Sequence, residues 1–110
     1  MPNTSPFAAT VLEVVRFQTD ETVSEQEFVR LFESTRALIS AQPGFLARQL
    51  IRADDGAWTD LVLWCNRQQA EQAAAGVIAA PAFAGFMAAI RPDSVAMSHH
   101  RLVATMAVDG

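Results

Sequence analysis

The chain has 110 residues, of which 51% are hydrophobic and 18% charged, and its net charge is −4. This composition fits one ordered globular domain and excludes a disordered chain. The eight basic residues are scattered, which argues against nucleic acid as a partner. No apolar stretch reaches the ~20 residues of a membrane span, and no signal peptide is visible, so we expect a cytoplasmic protein with no membrane partner.

The first third of the chain predicts a tail, a strand and a helix. Residues 1–8 are polar and contain prolines, which is typical of a mobile tail, and residues 9–110 are expected to form the domain. Thr10 to Phe17 is rich in β-branched and aromatic residues and predicts the first strand. Ser24-Glu25-Gln26-Glu27 is a capping box, and the apolar residues after it predict a helix that ends before Pro43-Gly44.

A hairpin is predicted after this helix. The second strand runs to a turn at Asp54-Asp55-Gly56, where Asp-Gly between two strands is a strong hairpin signal. A two-residue turn pairs Ala53 with Trp58 and Ala47 with Trp64. In this register a small residue stands opposite each indole.

The third predicted strand, which ends at Trp64, contains an acid in an apolar row. Alternate side chains of a strand share a face, so Trp58, Asp60 and Trp64 point the same way. Loss of hydration makes a buried carboxylate a stronger base, and Asp60 is therefore a candidate catalytic base or polar anchor. The alternative is a structural ion pair with an arginine: Arg16, Arg48 or Arg52.

The last third of the chain predicts a broken helix and a strand. Asn66-Arg67-Gln68-Gln69 is a second capping signature, and Gly76 and Pro81 are expected to break the helix that it starts. The helical piece that follows has one apolar stripe, made of Phe83, Phe86, Met87 and Ile90. The final strand is predicted from Val95 to about Met106.

The predicted order β-α-β-β-α-β indicates an α+β fold of the ferredoxin-like kind. In that fold a four-stranded antiparallel sheet carries both helices on one face. The second and third strands carry aliphatic residues on both faces, so the other face also needs a cover. A second copy of the chain is the simplest cover, and we expect a homodimer formed through the sheets.

Two histidines and one arginine are further site candidates. His99 and His100 are adjacent on a strand and point to opposite faces, so they cannot bind one metal ion together, and no metal site is expected. One of them faces the helix side and is a candidate acid or base, while a surface or interface histidine is the alternative. Arg16 is a candidate for binding an anionic ligand, and its alternative is a salt bridge with Asp60 or Glu13.

Four short stretches carry a family resemblance: Gln42-Pro43-Gly44-Phe45-Leu46, the Asp55-Gly56 turn, Leu63-Trp64, and Pro81-Ala82-Phe83. In this combination the chain resembles the antibiotic biosynthesis monooxygenase-like group of the dimeric α+β barrel superfamily. The resemblance implies a ligand pocket between the sheet and the helices. It also implies a choice of activities, because the group includes oxygenases, haem-degrading enzymes and isomerases.

Some members of the group oxidise polycyclic aromatic substrates without a cofactor, and the comparison with them concerns a few positions. In those members an amide side chain four residues before the strand-end Trp, and that Trp, line the pocket; here the positions hold Asp60 and Trp64. A pocket Tyr would fall on Ala70 and is missing. The haem-degrading members have a Trp and a His where this chain has Val77 and Met87, so haem degradation is not expected.

The resemblance therefore implies a small-molecule-binding barrel of monooxygenase type, which acts on an aromatic or polyketide-like substrate without metal or flavin. The ligand-binding candidates are Trp64, Trp58, Arg16, Val77, Phe83 and Met87. The alternative is a non-catalytic ligand-binding or stress-associated protein. An open cavity beside Asp60 and Trp64 favours ligand binding of either kind, whereas packed indoles and an Asp60 held by an arginine argue against a pocket.

Overall fold

The computed structural model describes residues 10–108, so the tail expected at residues 1–8 lies outside the described part. The strands are β1 (Val11–Phe17), β2 (Phe45–Arg52), β3 (Trp58–Trp64) and β4 (Ala96–Arg101). The helices are α1 (Glu25–Ser34), α2 (Arg36–Ser40), α3 (Arg67–Ile78) and α4 (Ala84–Ala88). Short 3₁₀ helices at Pro81–Phe83 and Pro92–Ser94 flank α4.

The four strands form one antiparallel sheet in the order β2-β3-β1-β4. This order confirms the predicted ferredoxin-like arrangement. None of the helices in residues 10–108 has the length and apolar character needed to cross a bilayer.

Both predicted helix starts are confirmed by their caps. The Ser24 hydroxyl accepts a hydrogen bond from the Glu27 N–H at 3.1 Å, and the Asn66 side chain accepts one from the Gln69 N–H at 2.8 Å. The prediction that Gly76 breaks the second helix was wrong, because α3 runs through it to Ile78. A glycine inside a helix weakens it by only about 1 kcal/mol, and packing on one face outweighs that cost.

The hairpin between β2 and β3 has a three-residue loop, not the two-residue turn that the sequence predicted. The Ala53 N–H donates to the Ala57 carbonyl at 2.8 Å, and the Gly56 N–H donates to the Ala53 carbonyl at 2.9 Å. Gly56 has a φ of +91°, a conformation that favours glycine. Such a loop, a turn followed by a left-handed residue, is the next most common hairpin connection.

The extra loop residue shifts every pair of the hairpin by one position. Arg52 stands opposite Trp58, and Leu50 stands opposite Asp60. A bulge near the start of β2 then leaves Phe45 opposite Trp64. The predicted alanines opposite the indoles were therefore wrong, and the shift turns Arg48 and Arg52 from the outer face to the helix side, because one step in register exchanges the faces of a strand.

The last strand is shorter than predicted. β4 ends at Arg101, which pairs with Val11, the first residue of β1. Residues 102–108 have no regular structure after one bond from the Leu102 N–H to the Thr10 carbonyl at 2.9 Å.

The two faces of the sheet differ in burial. On the helix side, two clusters of buried side chains form the core: a large one around Phe17, Phe28, Trp58 and Phe86, and a small one of Val62, Trp64, Ala70 and Ala73. On the outer face, Val14, Leu61 and Leu63 are half-buried and Ile51 is 50% exposed. This outer face is the one for which the sequence predicts a cover.

Candidate ligand-binding and active site

A cavity of about 160 Å³ lies between the helix side of the sheet and the helices. All four strands and Val95, just before β4, contribute side chains to one side of it. Helices α2, α3 and α4 contribute side chains to the other side. Its polar lining residues are Glu13, Arg48, Asp60 and Trp64. Its apolar lining residues are Val15, Phe17, Ile39, Val62, Ala74, Val77, Ile78, Phe83, Phe86, Met87, Ile90, Val95 and Met97.

Four of the apolar lining residues are also strongly exposed and mark the mouth of the cavity. They are Ile78, Met87, Val95 and Met97, with exposed fractions from 42% to 62%. Strand β4 is the edge of the sheet, so this mouth opens beside an uncovered edge. Exposed apolar side chains around a concave opening are typical of a ligand entrance.

One wall of the cavity is a buried ion pair. The Arg48 Nε donates to Asp60 Oδ1 at 3.0 Å, and Arg48 Nη2 donates to Asp60 Oδ2 at 2.7 Å. Both side chains are at most 10% exposed. The bond is bidentate, which is the strong geometry for a carboxylate and a guanidinium. Both oxygens of Asp60 therefore accept hydrogen bonds from Arg48. This is the ion pair with an arginine that the sequence offered as the alternative to a catalytic Asp60.

The guanidinium is also held from the helix side. Arg48 Nη1 donates to the Thr35 hydroxyl at 2.7 Å, and that hydroxyl donates to the Phe32 carbonyl at 2.7 Å. The guanidinium carbon lies 4.1 Å from the centre of the Phe32 ring and 5.3 Å from that of Phe86. Stacking on aromatic rings and three hydrogen bonds compensate the burial of this charge.

A second buried acid, Glu13, borders the cavity from β1. It is 8% exposed, and its Oε2 lies 3.1 Å from Nε2 of His99, its cross-strand partner on β4. Burial raises the pKa of Glu13 above the ordinary range of a glutamate, the His99 hydrogen bond and charge lower it in part, and the charge of Asp60 raises it further. The net result is that the pKa of Glu13 is higher than that of an exposed glutamate.

The two tryptophans have different surroundings. Trp58 packs against Phe28 at 4.9 Å between ring centres, and the guanidinium of Arg52 lies 4.6 Å over its ring, so it belongs to the core and does not line the cavity. Trp64 lines the cavity and packs edge-on against Phe45. Its indole N–H is near enough to Glu13 to lower that pKa slightly, but it makes no hydrogen bond of good geometry in residues 10–108.

The other predicted site residues divide between the two faces. Val77, Phe83 and Met87 line the cavity together with Trp64. Arg16 lies on the outer face, where it contacts Asp55 at 3.4 Å and neither of the acids that the sequence suggested. Of the two histidines, His99 faces the helix side.

His100 points to the outer face and bonds Ser98 at 2.8 Å between the hydroxyl oxygen and Nε2. Within residues 10–108, no group of three His, Cys, Asp or Glu side chains is arranged to hold a metal ion.

The sequence argument did not find Glu13, although a signal was present. Glu13 alternates with Val11, Val15 and Phe17 on the buried face of β1, as Asp60 alternates with apolar residues on β3. The rule that selected Asp60 selects Glu13 as well. Arg48 was named only as one of three possible ion-pair partners of Asp60 and not as a residue of the pocket wall.

No family profile and no curated protein matches this sequence. Solved structures do match it. SnoaB from Streptomyces nogalater, a cofactor-independent oxygenase, is 25% identical, with a TM-score of 0.61 over 94% of this chain and 100% of that one. A Caulobacter crescentus protein, proposed to be an antibiotic biosynthesis monooxygenase, is 17% identical, with a TM-score of 0.67 over 89% and 93%.

The likeness also extends to proteins without an assigned activity. A protein of unknown function from Nitrosomonas europaea is 14% identical, with a TM-score of 0.65 over 94% of this chain and 99% of its own. At such identities the likeness concerns the fold, and the site must be judged on its own residues. Taken with the sheet order, it shows that the chain has the fold of the antibiotic biosynthesis monooxygenase-like group of the dimeric α+β barrel superfamily, and it supports the resemblance that the sequence carries.

Proposed function

We propose that the protein binds a small aromatic or polyketide-like molecule in this cavity and oxidises it with O₂, without a cofactor. The observation that carries the proposal is the cavity itself, which has apolar walls, an apolar mouth and a few polar groups. Such a lining is typical of small-molecule sites. The 25% identity with SnoaB, a cofactor-independent oxygenase, supports this choice of reaction.

The size of the cavity limits the part of the substrate that it can enclose. A protein cavity of about 150 Å³ holds one benzene molecule, whereas pockets for drug-sized ligands measure about 300–1,000 Å³. At about 160 Å³, this cavity takes one aromatic ring. Further rings of a larger substrate would extend through the mouth, along Ile78 and Met97.

The reaction that fits these walls starts with the loss of a proton. The anion of a phenol or related acid gives one electron to O₂, and the resulting substrate radical and superoxide combine into a hydroperoxide on a ring carbon. Loss of water then leaves a C=O group at that carbon. In sum, the ring C–H and the phenolic O–H supply two hydrogens, one oxygen atom of O₂ leaves as water, and the other remains in the quinone.

The residues have distinct parts in this proposal. Trp64 is the flat wall against which the ring packs. Arg48, whose charge Asp60 compensates, keeps guanidinium N–H groups that are not bonded to Asp60 or Thr35 and can donate to the substrate anion. Asp60 acts as the polar anchor that holds the guanidinium in place, since both of its oxygens are already bonded to Arg48.

A matched pair of substitutions on α3 tests the cavity. Ala74 lines it, whereas the next residue, Ala75, is exposed. Ala74→Leu should fill the space of the ring and lower O₂ uptake with hydroxylated one-ring and two-ring aromatics by about tenfold or more, equivalent to about 1.4 kcal/mol. Ala75→Leu should leave uptake at the wild-type rate. An oxygen electrode measures both, and equal rates for the two variants would show that this cavity is not the site.

The bidentate bond between Arg48 and Asp60 favours a second candidate function. If Asp60 is purely structural and no other group removes a proton, the protein is a non-catalytic ligand-binding barrel. Titration of tryptophan fluorescence with the same aromatics then shows binding that Ala74→Leu weakens, while O₂ uptake stays at the level of buffer.

We further propose that a second copy of the chain covers the outer face of the sheet. Ile51 there is 50% exposed beside Leu61 and Leu63, while Val29 on α1 is 41% exposed and away from this face. Ile51→Glu should therefore shift the mass measured by light scattering from dimer to monomer, and Val29→Glu should not. A wild-type protein that is monomeric at micromolar concentration would contradict the proposal.

A further inference from the structure

We propose that Glu13 is the group that removes the proton from the substrate in the cavity, and that His99 positions it. The inference rests on the proposed function for the presence of an aromatic ligand with an acidic O–H or C–H. It adds the identity of the base, which the family resemblance does not supply.

Asp60 is poorly placed to accept a proton. Its Oδ1 and Oδ2 both accept from Arg48, whose guanidinium keeps its charge at any physiological pH. A proton on Asp60 would break this bidentate pair and leave a buried positive charge without its partner, which is strongly unfavourable. Neither oxygen of Asp60 is therefore free to take a proton from the substrate.

Glu13 differs from Asp60 in each of these respects. In residues 10–108 its Oε2 is hydrogen-bonded to His99 at 3.1 Å, whereas Oε1 makes no hydrogen bond of good geometry. The Trp64 indole N–H is a further donor near this carboxylate. Glu13 lines the cavity, whereas His99 does not, so the imidazole holds the carboxylate from outside the ligand space. A base that is positioned through one oxygen and free at the other has the arrangement that general-base catalysis requires.

The surroundings make Glu13 a stronger base than an exposed glutamate. The charged or titratable groups that face it are His99 from β4, Asp60 from β3, and Arg48 from β2 across the cavity. The cavity residues of α3 and α4 are uncharged. Burial among them raises the pKa of Glu13, which brings its proton affinity nearer to that of an acidic phenol.

The proton step is simple to balance. The O–H or C–H bond of the substrate breaks, a new O–H bond forms at Oε1 of Glu13, and the electron pair stays on the substrate as a phenolate or carbanion. The anion then accepts hydrogen bonds from the Arg48 N–H groups that Asp60 and Thr35 leave unbonded. Reaction with O₂ follows only after this step, so the base can be tested without oxygen chemistry.

The probe for the test is 5-nitrobenzisoxazole, a flat aromatic that a base opens by removing its ring C–H. The N–O bond breaks in the same step, and the electron pair appears as a coloured nitrophenolate, with no need for O₂. We expect the wild type to accelerate this reaction and Glu13→Gln to lower kcat/KM by about 100-fold or more. His100→Gln is the matched control and should react at the wild-type rate, because His100 lies on the outer face.

The pH profile tests the positioning role of His99. The wild-type rate should fall on the acid side as Glu13 becomes protonated. His99→Ala removes the hydrogen bond and charge that lower the Glu13 pKa, so this acid limb should move to higher pH. His99→Gln keeps an N–H donor and should move it back toward the wild-type position. A merely structural histidine would change the rate without moving the limb.

Separate outcomes decide this inference and the proposed function. If Glu13→Gln, shown to be folded by circular dichroism, opens the probe at the wild-type rate, Glu13 is not the base, and the oxygenase proposal is untouched. If Glu13→Gln does not fold, Glu13→Asp takes its place and should be slower yet keep an acid limb. If the wild type opens the probe but consumes no O₂ with any phenol, the base is established and the oxygenase proposal fails.

Discussion

Asp60 and Glu13 lie on neighbouring strands and in the walls of one cavity, yet their partners differ in kind. Asp60 is bonded through both oxygens to Arg48, and Thr35, at the junction of α1 and α2, holds the same arginine. Glu13 is bonded through one oxygen to the imidazole of His99. The carboxylate of Asp60 has both oxygens occupied by Arg48, whereas that of Glu13 keeps one oxygen available to a substrate.

The largest expected difference is in stability. Asp60→Ala leaves the buried Arg48 without its carboxylate and should lower the free energy of unfolding by about 3–5 kcal/mol, measured by urea denaturation. Glu13→Gln keeps a hydrogen-bonding group beside His99 and should change it by less than about 1 kcal/mol. The double replacement Arg48→Met with Asp60→Leu should recover most of the loss. Equal losses for the two acids would remove the distinction between them.

A smaller effect is expected where Thr35 holds the arginine. Thr35→Val keeps the shape of the side chain but leaves Arg48 Nη1 without its acceptor, which should cost about 2 kcal/mol because the donor is charged. The control is the exposed neighbour Ser34, whose hydroxyl donates to the Leu31 carbonyl. Ser34→Ala should change the free energy of unfolding by less than about 0.5 kcal/mol. Thermal or urea unfolding of both variants makes the comparison.

The smallest expected effect is a pH dependence of the free energy of unfolding that comes from Glu13. Because burial raises the pKa of Glu13, the folded protein holds this proton more tightly than the unfolded chain does. The stability that protonated Glu13 contributes is fully present below the ordinary glutamate pKa. It is lost as pH rises through the raised pKa of the folded protein. Relative to Glu13→Gln, the wild type should therefore be less stable at neutral pH than at acid pH. Urea unfolding of both proteins across this range measures the difference, and parallel curves would contradict the shift.

The sequence predicted much of the fold because the relevant signals are local. Ser24 and Asn66 cap the helices that they were expected to cap, and alternation along β3 placed Trp58, Asp60 and Trp64 on one buried face. The family resemblance pointed to Trp64 as a wall of the pocket, and Trp64 does line the cavity. Capping and alternation depend only on neighbours in the chain, so they can be recognised without a structure.

The features that only the tertiary structure decided depend on one loop and on pairs of distant residues. The loop at residues 54–56 holds three residues where the sequence predicted a two-residue turn, and this single step brought Arg48 to the face of Asp60.

Glu13 and His99 are 86 positions apart, and only the β1–β4 register makes them partners. The sequence thus determined which faces are buried, whereas the pairing of strands determined which charges meet there, because a cross-strand contact depends on the register of both strands.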